Sequence, residues 1–305
     1  MLGSKKDFLP KIKQAGYKAV CPKVTQTLTE KELIEIIPKC AGWIIGDDPA
    51  TRKVFEAGIN GKLRAAVKWG IGTDNVDFKA CKDLNIPISN TPDMFGNEVA
   101  DLALNYLLGL ARETHFIDRS IRSGGWPKNR GISLLDKTVG LIGYGNIGRQ
   151  TAKRLISFGL KVIVYDPAVS KIKKNMTLQA WPKKIEQCDF LIFTCSLNDL
   201  NRHMLDASVL KDCKNGVRIV NVARGPLIKE TDLIKELKKK KVHSVALDVF
   251  ETEPLPSSSY LLTHPLCILG SHNASNTIEA VSRTNEFALN KLFNFLKRCS
   301  KNRKA

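Results

Sequence analysis

The stretch Thr138–Asp166, TVGLIGYGNIGRQTAKRLISFGLKVIVYD, constrains the fold more than any other part of this 305-residue chain. Val139 to Ile142 form a short apolar run. Gly143, Gly145 and Gly148 follow in G-x-G-x-x-G spacing, and Ala152, Leu155, Ile156 and Leu160 then mark a helical face. The pattern predicts a strand, a glycine turn, a helix and a second strand, Lys161 to Tyr165. In such a turn the first glycine permits a tight bend, the second leaves room for a pyrophosphate against the backbone, and the third lets helix and strand pack closely. The phosphates sit at the helix N-terminus, where backbone N–H groups and the helix dipole favour an anion. Gly143, Gly145, Asn146, Ile147 and Gly148 are therefore the candidate pyrophosphate-binding residues.

A glycine turn alone is a weak signal, but the second strand ends in Asp166, 18 residues beyond Gly148. A carboxylate there accepts hydrogen bonds from a ribose 2′-hydroxyl and repels a 2′-phosphate. No arginine stands among residues 167–170, so the expected cofactor is NAD and not NADP.

Strand and helix patterns alternate around this unit. Candidate strands lie at Lys18 to Cys21, Gly42 to Ile45, Ala65 to Lys68 and Pro87 to Ser89 before it, and at Phe190 to Cys195, Arg218 to Val222, Ser244 to Asp248 and Cys267 to Gly270 after it. Such alternation predicts an α/β protein with doubly wound parallel sheets, and the length suffices for two domains. We expect an NAD-binding Rossmann domain at residues 92–273, inserted in a substrate-binding domain formed by residues 1–91 and 274–305. The closing helix, Thr277 to Lys297, crosses back to the first part and presents Ala280, Phe287, Leu292 and Leu296 on one face. Thr29-x-x-Glu32 has the form of a capping box opening a helix at Lys31. Gly70-Ile71-Gly72, directly after a strand, is a second glycine loop whose backbone N–H groups suit an anion.

Composition narrows the class further. No run approaches the 18 or so apolar residues of a membrane span, and residues 1–13 lack the apolar core of a secretory signal, so the expected address is the cytoplasm. Eight cysteines are scattered without a C-x-x-C pair and five histidines lack metal-ligand spacing; no metal is expected. The net charge of +18 comes mainly from dispersed lysines without interleaved aromatics, which argues against specific nucleic-acid binding. Val99 to Arg112 is apolar nearly all round and must be buried, which suggests a helix shared between domains or subunits and a homodimer through the NAD domain.

Five further stretches, read with the nucleotide unit, resemble the D-isomer-specific 2-hydroxyacid dehydrogenases, the family of phosphoglycerate dehydrogenase and glyoxylate/hydroxypyruvate reductase. They are KWGIGTDNVD at Lys68 to Asp77, NEVADLALNYLLGLAR at Asn97 to Arg112, NVARGPLI at Asn221 to Ile228, and LDVFETEP at Leu247 to Pro254 with GSHNASNT at Gly270 to Thr277. The resemblance implies a flavodoxin-like substrate domain around the Rossmann domain, and hydride transfer between NAD and a small 2-hydroxy or 2-keto acid. It makes Arg224 the substrate-binding arginine, Glu253 the partner of the acid/base and His272 the acid/base itself. These residue types suit the chemistry. Oxidising a 2-hydroxy acid removes a hydroxyl proton as hydride leaves, which calls for a group titrating near neutrality, and arginine offers a planar fork to a carboxylate.

By the same resemblance Lys68, Gly70, Ile71 and Gly72 hold the substrate carboxylate, while Val222, Ala223 and Asp248 face the nicotinamide side. Ser196, Lys229 and Asn146 depart from the family pattern at peripheral positions. Asp47 and Asp48 occupy a loop where a phosphorylated substrate would meet repulsion. The alternative function is an NAD-sensing binding protein of the corepressor type on the same fold.

Overall fold

The computed structural model of the chain describes residues 5–24 and 27–301. The chain forms two compact units, Met1–Met94 with Asn276–Ala305, and Phe95–Ser275.

The first unit is built on a parallel sheet of three strands in the order β1 (Gly42–Ile45), β2 (Ala65–Lys68), β3 (Ile88–Ser89). Its helices are α1 (Lys5–Gln14), α2 (Glu30–Ile36), α3 (Arg52–Asn60), α4 (Phe78–Asp83) and the C-terminal α10 (Ile278–Lys301). Alternate strand residues point to opposite faces, and each face has its own cover. Trp43, Ile45 and Ala66 pack with Leu33, Ile37, Val54 and Phe55 on one side. Ala65 and Val67 meet Ala288, Leu292 and Leu296 of α10 on the other. Phe287, expected on that face, is only half-buried, and Ala288 takes the core position. The α2 capping box forms as its spacing predicts: Thr29 N–H donates to Glu32 Oε2 at 2.7 Å and Glu32 N–H to Thr29 Oγ1 at 3.3 Å.

One expected strand does not form. Residues 17–24 carry no regular structure: the expected run is only four residues long, and Pro22, which cannot donate to a ladder, follows it directly.

The second unit carries a seven-stranded sheet, parallel throughout, in the order β10-β9-β8-β7-β4-β5-β6. The strands are β4 (Thr138–Ile142), β5 (Lys161–Tyr165), β6 (Met176–Gln179), β7 (Phe190–Phe193), β8 (Val217–Asn221), β9 (Val242–Leu247) and β10 (Ile268–Leu269). The unit opens with α5 (Gly96–Arg112) and α6 (Thr114–Arg122); α7 (Asn146–Ser157), α8 (Ala207–Asp212) and α9 (Glu230–Lys238) lie between strands. Central strands such as β7 and β8 are buried at every residue, as their continuous apolar runs require for a sheet covered on both faces. Strand order runs outward from β4 in both directions, so β4 and β7 flank the switch point where doubly wound sheets bind ligands at their C-terminal ends.

The apolar helix α5 buries Val99, Ala103, Leu107 and Leu110, and packs on α7, β8 and β9 of its own unit. Its composition is thus satisfied without a second subunit. Two elements, α6 and the edge strand β6, go beyond the expected pattern, and a single 3-10 turn, Ile185–Gln187, precedes β7. Among the described residues, no helix is long and apolar enough to cross a membrane.

Candidate active site at the C-terminal edge of the seven-stranded sheet

Each glycine of the turn after β4 meets a different demand. Gly143 sits at φ +95, and a Cβ there would lie 2.6 Å from the Cys195 backbone beyond β7. Gly145 has open space around a built Cβ, as close approach of a phosphate requires. A Cβ on Gly148 would lie 2.1 Å from the Gly143 carbonyl oxygen, so only glycine lets α7 start against the turn. Thr194 Oγ1 donates to the Gly143 carbonyl at 2.9 Å and ties the two switch-point strands together. Asn146 is the first residue of α7, its Oδ1 buried without a hydrogen-bond partner and seated against Gly96 of α5. Ile147 accepts from Thr151 Oγ1 through its carbonyl. Burial pushes the nearby Cys195 thiol up to about 12, so it stays protonated and inert.

Asp166 closes β5 and reaches back to the turn. Its Oδ2 accepts from Tyr144 N–H at 2.7 Å and its Oδ1 from Ala168 N–H at 2.9 Å. A carboxylate offers about four lone-pair sites, so two remain for ribose hydroxyls. Open space at Gly145, amides at the start of a twelve-residue helix and a carboxylate held by the turn fit a dinucleotide.

The proton-transfer candidates lie beyond β9 and β10. His272 Nδ1 donates to Glu253 Oε2 at 2.7 Å, and Glu253 Oε1 accepts from Phe250 N–H at 2.9 Å. Both carboxylate oxygens are thus fixed, and so is the imidazole tautomer. The side chains are 30% and 23% exposed, enough for a substrate to reach them. His272 takes φ 56, an unusual conformation for a residue other than glycine, and its N–H donates to the Asp248 carbonyl at 2.7 Å.

Asp248 itself is 1% exposed. Its Oδ1 accepts from Asn273 N–H at 3.1 Å and faces the Tyr106 hydroxyl at 3.4 Å, and its Oδ2 accepts from Ala274 N–H at 2.8 Å. Its visible work is to hold the turn that carries His272. Arg224 follows β8 and donates from Nη1 to the Ala223 carbonyl at 2.8 Å. Val222 and Ala223 are buried beside it. Asn221 braces this turn from both sides: its Oδ1 accepts from Ala223 N–H and its Nδ2 donates to the Arg224 carbonyl. Arg224, Glu253, His272 and the nucleotide turn therefore share one edge of one sheet.

The other glycine loop belongs to the first unit. Gly70 takes φ +132, but its N–H donates to Thr91 Oγ1 at 2.9 Å. The Gly70 N–H is thus engaged within the loop. Ile71 and Gly72 keep the capacity to donate to an anion. Lys68, 2% exposed, donates to the Gly46 carbonyl and to Asp47 Oδ1 at 3.2 Å. The sequence carries no signal for the role of Thr91; Asn221 is legible there as the first residue of the NVARGPLI stretch, a polar residue closing an apolar strand.

Residues 104–274 match the family model described as D-isomer specific 2-hydroxyacid dehydrogenase, NAD binding domain. The chain is 35% identical over 275 residues to the hydroxypyruvate reductase of Thermotoga maritima, a match covering 88% of this chain and 89% of that protein. It is 35% identical over 285 residues to the D-3-phosphoglycerate dehydrogenase of Homo sapiens, covering 90% of this chain and spanning 52% of the human protein. Among solved structures, the apo D-lactate dehydrogenase of Escherichia coli superposes with a TM-score of 0.82 at 27% identity, over 96% of this chain and 94% of that one. The chain belongs to the D-isomer specific 2-hydroxyacid dehydrogenases, NAD-dependent oxidoreductases of 2-hydroxy acids.

Proposed function

We propose that the chain interconverts a small D-2-hydroxy acid and its 2-keto acid, with His272 as the acid/base. The observation that carries this reading is the 2.7 Å bond from His272 Nδ1 to Glu253 Oε2 on the sheet edge that also holds the nucleotide turn. Bound NAD supplies or takes up the hydride. With Nδ1 committed to Glu253, Nε2 is the nitrogen that takes the substrate hydroxyl proton in oxidation and returns it to the carbonyl oxygen in reduction. Glu253 orients the ring and offsets the charge of the imidazolium. Arg224 grips the substrate carboxylate with its planar fork and polarises the carbonyl.

Gly143, Gly145, Asn146, Ile147, Gly148 and Asp166 bind the dinucleotide, with Val222, Ala223 and Asp248 shaping the nicotinamide side. Lys68 and the N–H groups of Ile71 and Gly72 contribute the substrate loop. Because Lys68 already shares its charge with Asp47, an unphosphorylated acid such as hydroxypyruvate or glyoxylate fits better than a phosphorylated one.

We also place the enzyme in the cytoplasm as a homodimer formed through the NAD unit. Support for the dimer comes from the exposed apolar residues Ile121, Trp126 and Leu135 on α6 and the arm after it, with Trp126 77% exposed. A panel of glyoxylate, hydroxypyruvate, pyruvate and 3-phosphohydroxypyruvate, followed by NADH absorbance, tests the function. Turnover of at least one of the first two is expected, with the phosphorylated acid the poorest. Absence of turnover with all four would overturn the reading.

A further inference from the structure

The turn that carries Glu253 carries a second histidine–carboxylate pair two residues earlier. Glu251 Oε1 accepts from His203 Nε2, and Glu251 Oε2 accepts from the backbone N–H of Glu230, the first residue of α9, at 3.2 Å. The Glu251 N–H in turn faces Glu230 Oε2 at 3.4 Å. His203 also engages the Arg224 turn, because its own N–H donates to the Pro226 carbonyl at 2.7 Å. The two turns are pressed together: a Cβ on Gly225 would fall 1.9 Å from the Phe250 carbonyl carbon and 2.5 Å from Glu251 N. One residue therefore joins both turns, gripping the Arg224 turn through its backbone and the Glu253 turn through its ring. The proton transfer proposed for His272 makes no use of it.

We propose that His203 and Glu251 are a positioning pair for the reaction. Their hydrogen bond seats the 250–253 turn against the Arg224 turn, so that Glu253 meets His272 Nδ1 while Arg224 faces the substrate carboxylate. The argument is geometric. Glu253 is fixed by a bond to its own turn, Phe250 N–H to Oε1, so the carboxylate moves whenever that turn moves. A displacement of about 1 Å in such a constellation costs on the order of 10²-fold in rate. His203 takes φ 56, a conformation histidine tolerates better than most residues, which places the ring without a glycine at that position. A purely structural role, capping α9 through Glu251, would affect stability but not the proton-transfer step.

The inference rests on reading His272 and Glu253 as the acid/base dyad, and one set of assays separates the two. His203→Ala, His203→Gln, Glu251→Ala and His272→Gln are compared with the unaltered enzyme in keto-acid reduction across pH, with melting temperatures recorded alongside. His203→Ala and Glu251→Ala should each lower kcat at least about tenfold, leave KM for NADH within about twofold, and move the alkaline limb of the kcat/KM profile. The double variant should be little worse than either single one, because both remove the same bond. His203→Gln, whose amide N–H reaches the place of Nε2, should recover most of the loss. If one alanine variant does not fold, the other decides on the same criteria. Alanine variants that melt lower but keep the kcat and pH limb of the unaltered enzyme would overturn the positioning role. So would a loss of kcat that leaves the limb in place and is not rescued by His203→Gln. An inactive unaltered enzyme would instead overturn the function, and full activity in His272→Gln the assignment of the dyad.

Discussion

Single side chains in this protein hold more than one partner, and their substitution has correspondingly mixed effects. Asp166 discriminates against a 2′-phosphate by charge, yet its two oxygens also accept the Tyr144 and Ala168 N–H groups. NADH should therefore be preferred over NADPH by at least about tenfold in kcat/KM, a difference of about 1.4 kcal/mol. Asp166→Ala should narrow that preference and also raise KM for NADH, since the glycine turn loses its brace. Steady-state kinetics with both cofactors check this; equal rates in the unaltered enzyme would contradict it. Spacing alone made Gly143, Gly145, Gly148 and Asp166 legible, because the turn demands glycine at fixed intervals. Arg224, Glu253 and His272 became legible only through the resemblance, since histidine after an apolar strand has no chemistry of its own until a carboxylate stands 2.7 Å away. Glu251 looked like any other turn residue, because its partner His203 lies 48 residues away in the chain.

Elements meet in ways that hydrophobic period alone does not disclose. The long periodic segments, α5, α7 and α10, and the apolar strands β7, β8 and β9 were readable, whereas β6 and the segment after Gly16 depend on whether a neighbour supplies hydrogen bonds. A polar cluster at the opposite edge of the large sheet escaped notice for the same reason. There Glu113, buried between α5 and α6, approaches His243 Nε2 at 3.5 Å, and Arg218 Nε donates to the Leu110 carbonyl at 3.2 Å. Burial holds His115, His243 and His264 below the ordinary histidine range, with Arg119 adding to the effect at His115 and Arg218 at His243; Glu113 opposes it at both. Histidines of depressed pKa are neutral in the fold and take up protons more readily once unfolded. Their contribution to stability is complete above about pH 6.5 and is lost as pH falls through their folded values. The melting temperature should therefore decline below about pH 6.5, well before paired carboxylates such as Asp189 titrate, and His243→Gln should flatten part of that decline. A melting temperature unchanged down to pH 5 by circular dichroism would refute this account.

At the scale of the whole molecule, α5 gives no reason for a dimer, since its apolar surface is consumed within its own unit. The exposed apolar arm with Trp126 gives one instead, and light scattering at micromolar concentration should return twice the chain mass of 33.9 kDa; a monomer would contradict the dimer. A net charge of +18 favours attraction of anionic substrates at low salt without specifying them.

Everything proposed for the reaction converges on His272 exchanging a proton beside Glu253, and pH profiles in both directions measure that most directly. In the unaltered enzyme, kcat/KM for keto-acid reduction should fall as rising pH removes the His272 proton, because reduction needs the imidazolium. Hydroxy-acid oxidation should rise over the same interval, because it needs the neutral ring. His272→Gln should abolish both limbs and cut turnover by roughly 10² or more, with NADH affinity nearly unchanged. Opposed limbs that vanish together in that variant are the predicted result; near-normal turnover or unaltered limbs in His272→Gln would contradict the mechanism.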